Sequence, residues 1–339
     1  MLQAMTRSEA IKGMATRRRV LQGLGAGALV LGCGTAGGEG EDGGIGTGST
    51  GDGSSGGGGG STGVGSSGAM DAGASTGSGP ADGSESSGAA GDCDPATAWA
   101  TGGTAAMTAT DCYPDPFSGG IGTCALLCQT TAGPCTADTL ERQDVSEGLV
   151  GLPVRLSLKF VTADDCEPVA GAFVEIWHTQ RTGVYSGVTP SGAFCYGNDP
   201  DAENYLYFRG SQTTDAEGRV DFDTCYPGWY NGRAIHIHFR VVLDGEEHLV
   251  SQLFFEDELN AEICTTHPEY SDRGLPDTTN ETDNIIGGEA DKSPYTLEVA
   301  RMSDGAMLAW KAVAIRSSTA EALCTAQGGG GPGGPPPGG

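Results

Sequence analysis

Residues 234–242 read AIHIHFRVV, so that apolar side chains alternate with His236, His238 and Arg240. Alternation with a period of two is typical of a β-strand buried on one face. Because successive side chains of a strand point to opposite faces, both imidazoles project from one face while Ile237 packs on the other. The stretch therefore predicts a core strand that presents two histidines side by side.

Other segments of the chain show the same alternation and are separated by turn-forming residues. Short strands with frequent turns predict an all-β fold, most simply a β-sandwich. Helix is scarce, and residues 257–263 are expected to supply one or two turns. The further predicted strands cover residues 154–161, 172–177, 218–222 and 307–313.

Two histidines spaced as His-x-His are a weak signal by themselves. Such a pair occurs as a cross-strand structural pair and as a site for zinc, copper or iron. No carboxylate stands at a motif position that would complete a ferrous site of two histidines and one carboxylate. Tyrosines do stand nearby, in TGVYSG at residues 182–187 and in TCYPGWYNGR at residues 224–233.

An ordered series of stretches resembles the intradiol ring-cleavage dioxygenases, the protocatechuate and catechol dioxygenase family, and in particular their secreted branch. The series covers most of residues 128–264 in the family's order. It consists of CQTTAGP (128–134), LERQDVSEG (140–148), GLPVRLSLKFVTADDCEPVAGAFVEIWHTQRTGVYSG (151–187), YLYFRGSQTTDAEGRVDFDTCYPGWYNGRAIHIHFRV (205–241) and SQLFFEDELNAE (251–262).

The resemblance implies a β-sandwich of the intradiol type with a mononuclear non-haem Fe(III). It also implies that one tyrosine, in P-G-x-Y, is an axial ligand displaced by substrate. Residue by residue, the implied metal ligands are Tyr185, Tyr230, His236 and His238. Phenolate oxygens are hard anionic donors that favour ferric iron, and coordination would ionise both phenols below their free pKa near 10.

Further residues take roles only through the resemblance. Arg233 matches an arginine beside the metal that would stabilise charge on the substrate, and Gln252 matches a glutamine that lines the substrate pocket and orients substrate or oxygen. Tyr226 is a competing candidate for the second tyrosine ligand. His178 is interpreted as structural. His248 and His267 have no motif support and are interpreted as surface residues.

The implied activity is cleavage of a catechol-type ring by O₂ to a cis,cis-muconate-type product. The alternative is a non-catalytic surface domain that binds phenolics or iron on the same fold; a copper or zinc site built on the two histidines and a disulfide-stapled scaffold are further readings. Where the family often has an aromatic residue, Cys135 follows Gly133-Pro134, which suggests a disulfide in this loop. The net charge of −26 gives carboxylated substrates no global attraction, so a neutral catechol or a larger phenolic is at least as well suited.

The N-terminus has the pattern of an export address. Residues 16–22 (TRRRVLQ) resemble a twin-arginine signal, the apolar stretch that follows is too short for a permanent membrane span, and VLGC at residues 30–33 resembles a lipobox. The sequence thus predicts a signal peptide over 1–32 and a lipid anchor on Cys33. An ordinary secretion signal with an incidental cysteine is the alternative. The predicted location is periplasmic or cell-surface, at the membrane.

Composition divides the rest of the chain. Residues 33–91 form a Gly/Ser-rich tether that cannot bury enough apolar surface to offset its chain entropy, and residues 328–339 form a Gly/Pro tail; both are predicted to be disordered. Between them lies one domain, residues 92–327. The acidic charge argues against a nucleic-acid partner. If Cys33 carries lipid, ten of the eleven cysteines remain for disulfides, of unknown connectivity.

Overall fold

The computed structural model describes residues 93–197 and 199–328. Eight strands dominate this part of the chain. They are β1 (Pro153–Thr162), β2 (Phe173–Trp177), β3 (Arg209–Thr213), β4 (Arg219–Cys225), β5 (His236–Leu243), β6 (Glu246–Phe254), β7 (Glu298–Arg301) and β8 (Met307–Ile315). Two α-helices, α1 (Gly192–Cys195) and α2 (Asp257–Thr266), and four short 3₁₀ turns (Gly103–Ala106, Thr110–Cys112, Pro200–Asn204 and Ser293–Tyr295) accompany them.

The strands form two four-stranded sheets, in the orders β4-β1-β8-β7 and β3-β2-β5-β6. Strand β1 is antiparallel to β4 and parallel to β8, while all pairs of the second sheet are antiparallel. The apolar faces of the sheets meet in one core, where the rings of Phe160 on β1 and Phe239 on β5 lie 6.0 Å apart between centroids. The predicted all-β sandwich is confirmed.

Strand β5 carries the two histidines at the centre of the second sheet, between β2 and β6. Ile237 and Phe239 are fully buried, as expected for side chains that point into the core. His238 pairs directly with Trp177 on β2 and with Gln252 on β6. Directly paired residues share a face of the sheet, so one row of side chains crosses the sheet beside the histidines.

Three strands were not predicted from the pattern of apolar residues. Strand β3 reads RGSQT, without a single large apolar residue, and its burial depends on contacts with the preceding loops. In β6, the last seven residues are all buried, polar ones included, so the period of two disappears. Strand β7 is only four residues long. Helix α2 begins where predicted and runs three residues further.

Four disulfides link Cys93 to Cys112, Cys124 to Cys166, Cys128 to Cys324 and Cys135 to Cys195. The prediction that all ten domain cysteines form disulfides is therefore wrong: Cys225 and Cys264 are free and buried. Burial raises the pKa of the Cys225 thiol to about 12 and that of Cys264 to about 11. Both stay protonated and unreactive, as buried structural thiols do.

The predicted signal peptide and tether lie outside the described residues, as does the tail from residue 329 onward. Within residues 93–197 and 199–328, no helix combines the length and apolar character needed to cross a membrane.

Candidate metal centre

The loops that carry Tyr185 and Tyr230 are held together by two glycines. A Cβ on Gly228 would lie 2.2 Å from the carbonyl oxygen of Arg181, and one on Gly183 would lie 2.2 Å from that of Trp229. Gly183 also has a φ of 83°, which L-residues rarely adopt. The two loops can therefore pack backbone against backbone, which brings their tyrosines to the same place.

Four side chains meet at the N-terminal end of strand β5. The Nε2 atom of His236 lies 3.1 Å from His238 Nε2, 3.2 Å from the Tyr185 hydroxyl and 3.4 Å from the Tyr230 hydroxyl. The two tyrosine rings are in edge contact, 5.7 Å apart between centroids. Two phenols and two imidazoles from three separate segments thus converge on a single point.

The hydrogen-bond partners decide which histidine nitrogens face that point. His236 Nδ1 lies 2.6 Å from the carbonyl oxygen of Ala234, so Nδ1–H donates and Nε2 keeps a free lone pair. Burial, reinforced by the charge of Arg233, lowers the pKa of His236 to about 3. Burial and the neighbouring His236 lower the pKa of His238 well below its usual value. Both imidazoles are therefore neutral, the form that binds metals.

Burial also raises the pKa of the Tyr185 phenol well above its usual value near 10, with Tyr230 as the second cause. Without a cation, this phenol keeps its proton at neutral pH. An ion that binds here must displace that proton, which links occupancy of the site to pH.

These donors fit a metal ion. Two ligand atoms roughly 2.1 Å from one ion and at right angles to each other are roughly 3 Å apart, close to the separations around His236 Nε2. Among the described residues there is no group of three or more His, Cys, Asp or Glu side chains that could hold a metal. The donors that stand beside the two histidines are the phenols of Tyr185 and Tyr230. Two phenolates with two imidazoles suit a hard, highly charged ion such as Fe(III).

Arg233 lies directly behind this cluster and is mostly buried. Its Nε donates to Asp283 Oδ2 at 2.9 Å, and its Nη2 donates to Gln252 Oε1 at 2.5 Å. Its Nη1 lies 3.5 Å from the Tyr230 hydroxyl. Gln252 is fully buried and its Nε2 donates to the carbonyl oxygen of Thr131 at 2.8 Å, so it contacts the cluster through Arg233.

A cavity of about 270 Å³ opens onto the cluster, and Arg233 is the only charged residue among the described residues that line it. The other residues that line it are Thr131, Gly133, Pro134, Cys135, Tyr185, Phe194, Tyr230, Asn231, Gly232, His238, Asn284 and Ile285. Apolar surface exceeds polar surface on its walls. A mostly apolar cavity with a few polar groups at one end is the usual form of a small-molecule site.

The disulfide expected at Cys135 exists and joins the cavity wall to Cys195 on α1. The carbonyl oxygen of Cys195 accepts the backbone N–H of Tyr185 at 2.9 Å. The buried side chain of Arg209 donates to the carbonyl oxygens of Cys135 at 2.7 Å and Ser186 at 2.6 Å. This disulfide and this arginine together fix the loop that carries Tyr185.

Tyr226, the competing candidate for a ligand, lies elsewhere. Its hydroxyl donates to the side-chain oxygen of Asn260, and its carbonyl oxygen accepts the Tyr270 hydroxyl at 2.6 Å. His178 is likewise fully satisfied, with Nδ1 at 2.8 Å from Thr179 O and Nε2 at 2.7 Å from the Thr224 hydroxyl. Burial lowers the His178 pKa to about 4.

The interpretation of His248 and His267 as surface residues is wrong. Both are buried, with His248 Nδ1 at 2.9 Å from Arg316 O and His267 Nε2 at 2.9 Å from Ala100 O. Each ties one segment to a distant one.

Two residues beside the centre were missed. Arg209 stands in the strand β3 that carries no apolar signal, and Asp283 lies fifty positions after Arg233 in a polar loop. No local pattern marks either residue. The role of each residue can be recognised only from its tertiary contacts: Arg209 with the loop that carries Tyr185, and Asp283 with Arg233.

Comparison with known proteins supports the resemblance. The family model described as Dioxygenase matches residues 130–268. Catechol 1,2-dioxygenase 1 of Acinetobacter lwoffii is 31% identical over 116 residues, 29% of this chain and 34% of that protein. Chlorocatechol 1,2-dioxygenase of Pseudomonas putida is 31% identical over 114 residues, 28% of this chain and 40% of that protein. The chain thus matches about a third to two fifths of the length of these relatives.

A solved structure extends the likeness to the fold. The intradiol ring-cleavage dioxygenase from Tetranychus urticae superposes with a TM-score of 0.50 at 27% identity, over 57% of this chain and 95% of that one.

Proposed function

We propose, from the match of residues 130–268 to the Dioxygenase family model and from the likeness of the fold to an intradiol ring-cleavage dioxygenase, that the chain is an Fe(III)-dependent enzyme that opens a catechol-type ring with O₂ to a cis,cis-muconate-type product. The observation that carries the proposal is the convergence of Tyr185, Tyr230, His236 and His238 beside a mostly apolar cavity.

A mononuclear ferric ion held by these four side chains would supply a Lewis-acidic, redox-active centre that binds both catechol oxygens and makes the ring reactive toward O₂. The protein's own groups then have to accept protons, stabilise charge and exclude water. Both tyrosines line the cavity, but Tyr230 is the ligand better placed to accept a substrate proton, because it is half-buried, whereas Tyr185 is fully buried and tied down by the adjoining loop.

Arg233 supplies the positive charge. Its guanidinium lies 3.5 Å from the Tyr230 oxygen, on a side chain that is mostly buried. A fixed cation in such surroundings stabilises negative charge that develops on the substrate ring and requires no reorganisation during the reaction. Gln252, which accepts a hydrogen bond from Arg233, contributes by holding this guanidinium in place.

The cavity favours an uncharged substrate. Arg233, the one charged side chain that the described part of the chain contributes to its lining, is already paired with Asp283 and offers no unpaired cation to a carboxylate. The apolar walls at Pro134, Phe194 and Ile285 suit the face and edge of an aromatic ring. Catechol and apolar ring-substituted catechols are the substrates that this lining selects over carboxylated ones.

We also propose that the chain is exported and anchored to a membrane through lipid on Cys33. The four disulfides of the described domain support export, because disulfides persist in oxidising compartments and are rare in the cytosol. Labelling with a radioactive fatty acid, in wild type and in Cys33→Ser, tests the anchor. Label in the variant would contradict it.

The activity is tested by oxygen uptake of the iron-loaded chain with catechol, with the product analysed after reaction under ¹⁸O₂. The expected product is a ring-opened diacid that carries both labelled atoms. Tyr205→Phe is the matched control, since this tyrosine is 54% exposed and away from the cluster; it should react as wild type does. Binding of catechol without oxygen uptake would overturn the enzymatic proposal in favour of a phenolic-binding domain.

A further inference from the structure

Arg233 reaches the cluster from a constrained position. Its side chain is only 11% exposed, and all three side-chain nitrogens have contacts: Nε and Nη2 with Asp283, Nη2 also with Gln252, and Nη1 with the Tyr230 hydroxyl. Only one of these partners, Asp283, pairs the guanidinium with an anion. An arginine side chain has many rotamers, so the orientation of its guanidinium depends on its hydrogen-bond partners.

Asp283 is itself rigidly held. It has no exposed surface, and its Oδ2 atom accepts the backbone N–H of Ala234 at 2.9 Å as well as Arg233 Nε. Its Oδ1 atom accepts the backbone N–H of Ile285 at 2.8 Å. The carboxylate is therefore held from two sides: by Ala234, two residues before His236 and the start of β5, and by Ile285 in its own loop.

The loop around Asp283 comes from outside the part of the chain that matches the dioxygenase family, residues 130–268. Asn284 and Ile285, the next two residues, line the cavity. The backbone N–H of Gly287 donates to Asp283 O at 2.8 Å, and a Cβ at Gly287 would lie 2.4 Å from that oxygen. The loop is closed tightly enough to keep Asp283 in one place.

We propose that Asp283 is a positioning residue of the catalytic centre: it fixes the guanidinium of Arg233 beside Tyr230, and so sets where positive charge meets the substrate. The proposal rests on the proposed function for its kinetic consequences. Asp283 touches neither the cavity nor the four candidate ligands; it acts through Arg233. Its carboxylate also offsets the buried cation, which otherwise attracts any anion that enters the cavity.

The kinetic test is a double-mutant cycle in the full, iron-loaded chain, with Asp283→Asn and Arg233→Met. Partners that orient a catalytic group typically contribute 10- to 100-fold. We expect Asp283→Asn to lower kcat/KM for catechol by roughly that factor while Arg233 is present, with iron content unchanged. In the Arg233→Met background the same change should cost less than about threefold. Equal losses in both backgrounds, or no loss in either, would overturn the proposal.

The controls separate positioning from a general effect on the loop. Glu281→Gln removes a charge two residues away, from a side chain that is 78% exposed and paired with Lys292; it should leave kcat/KM as in wild type. If Asp283→Asn alone, with an unpaired buried arginine, is too unstable to purify, the double variant, which removes both buried charges, is still compared with Arg233→Met; a loss of more than about threefold there would overturn the proposal.

A second measurement does not depend on turnover. In the metal-free chain, hydrogen exchange of the Arg233 Nε–H is followed by ¹⁵N NMR. We expect slow exchange in wild type and Glu281→Gln and fast exchange in Asp283→Asn. Exchange that stays slow in Asp283→Asn would overturn the role of Asp283. If wild type fails to consume oxygen with catechol but shows this pattern, the proposed function fails while the positioning of Arg233 by Asp283 stands.

Discussion

Two clusters of buried tyrosines lie on either side of one turn, and they differ in where their polar atoms find partners. On one side, Tyr226 donates to Asn260 and accepts from Tyr270, and the Asn260 amide donates to the carbonyl oxygen of Phe255 at 3.2 Å. On the other side, Tyr230 and His236 contact each other and the remaining members of their own cluster. We call Tyr226, Asn260 and Tyr270 the closed cluster. We call Tyr185, Tyr230, His236 and His238 the open cluster.

The difference separates structural from functional polar groups. Buried polar atoms in a folded protein normally have hydrogen-bond partners, as the closed cluster does. In the open cluster the free lone pair of His236 Nε2 faces three other metal-binding groups at 3.1–3.4 Å. The His238 Nδ1 atom has no partner at all within the described structure. Four donor groups that face one point suit a metal cation.

The largest expected effect that tells the two clusters apart is the pH dependence of iron binding. Coordination removes two phenolic protons, whereas both imidazoles are already neutral, since the pKa of His236 is lowered to about 3 and that of His238 is also lowered. The metal-free site thus holds two more protons than the occupied one. The affinity should rise about 100-fold per pH unit between pH 6 and 8.

Competition against a chelator of known pH dependence measures this slope. Tyr230→Phe should reduce it to about tenfold per unit, because one proton remains to be displaced. A wild-type slope near zero would contradict coordination by phenolates and favour a site made of the histidines alone.

A smaller effect is expected on affinity at a single pH. Tyr230→Phe removes a ligand of the open cluster and should weaken iron binding by more than about 100-fold, the upper range for loss of an outer partner of a metal site. Tyr226→Phe, the matched change in the closed cluster, should leave it within about twofold. Isothermal titration at pH 7 measures the iron affinity of both variants. Equal losses of affinity in the two would contradict the distinction between the clusters.

The smallest expected effect is on the stability of the fold. Here Tyr226→Phe should have the larger effect and Tyr230→Phe the smaller one. Tyr226→Phe leaves the side-chain oxygen of Asn260 buried without its donor and should lower the free energy of unfolding of the metal-free chain by about 1–3 kcal/mol. Tyr230→Phe, at a half-buried position, should cost less than about 1 kcal/mol. Urea unfolding with matched m-values measures both. A larger loss for Tyr230→Phe would show that its hydroxyl supports the fold.

Strands with a clear period of two could be predicted from the sequence, and so could the sandwich. The stretch AIHIHFRVV became strand β5, with its histidines on one face and its apolar residues in the core. Strand β3, which reads RGSQT, could not be found this way, because its buried members are an arginine, a glycine and a serine held by distant loops. Tertiary contacts there override local preference.

The centre could be predicted only in part for a similar reason. Tyr226 and Tyr230 flank the same Pro-Gly turn, and only their surroundings in space distinguish them. Asp283 has no neighbour in sequence that marks its role, since its partner is fifty residues away. His248 and His267 belong to no motif and were therefore interpreted as surface residues, yet both are buried and each lies within hydrogen-bond distance of a carbonyl oxygen from a distant segment.

The central claim is that Tyr185, Tyr230, His236 and His238 hold one ferric ion. Its most direct test is titration of the metal-free chain with Fe(III), followed by visible absorption and metal analysis. We expect one bound iron per chain and a tyrosinate-to-iron charge-transfer band that is lost or shifted in Tyr185→Phe but unchanged in Tyr226→Phe. A chain that stays colourless at one equivalent of iron, or colour that survives unchanged in Tyr185→Phe, would contradict it.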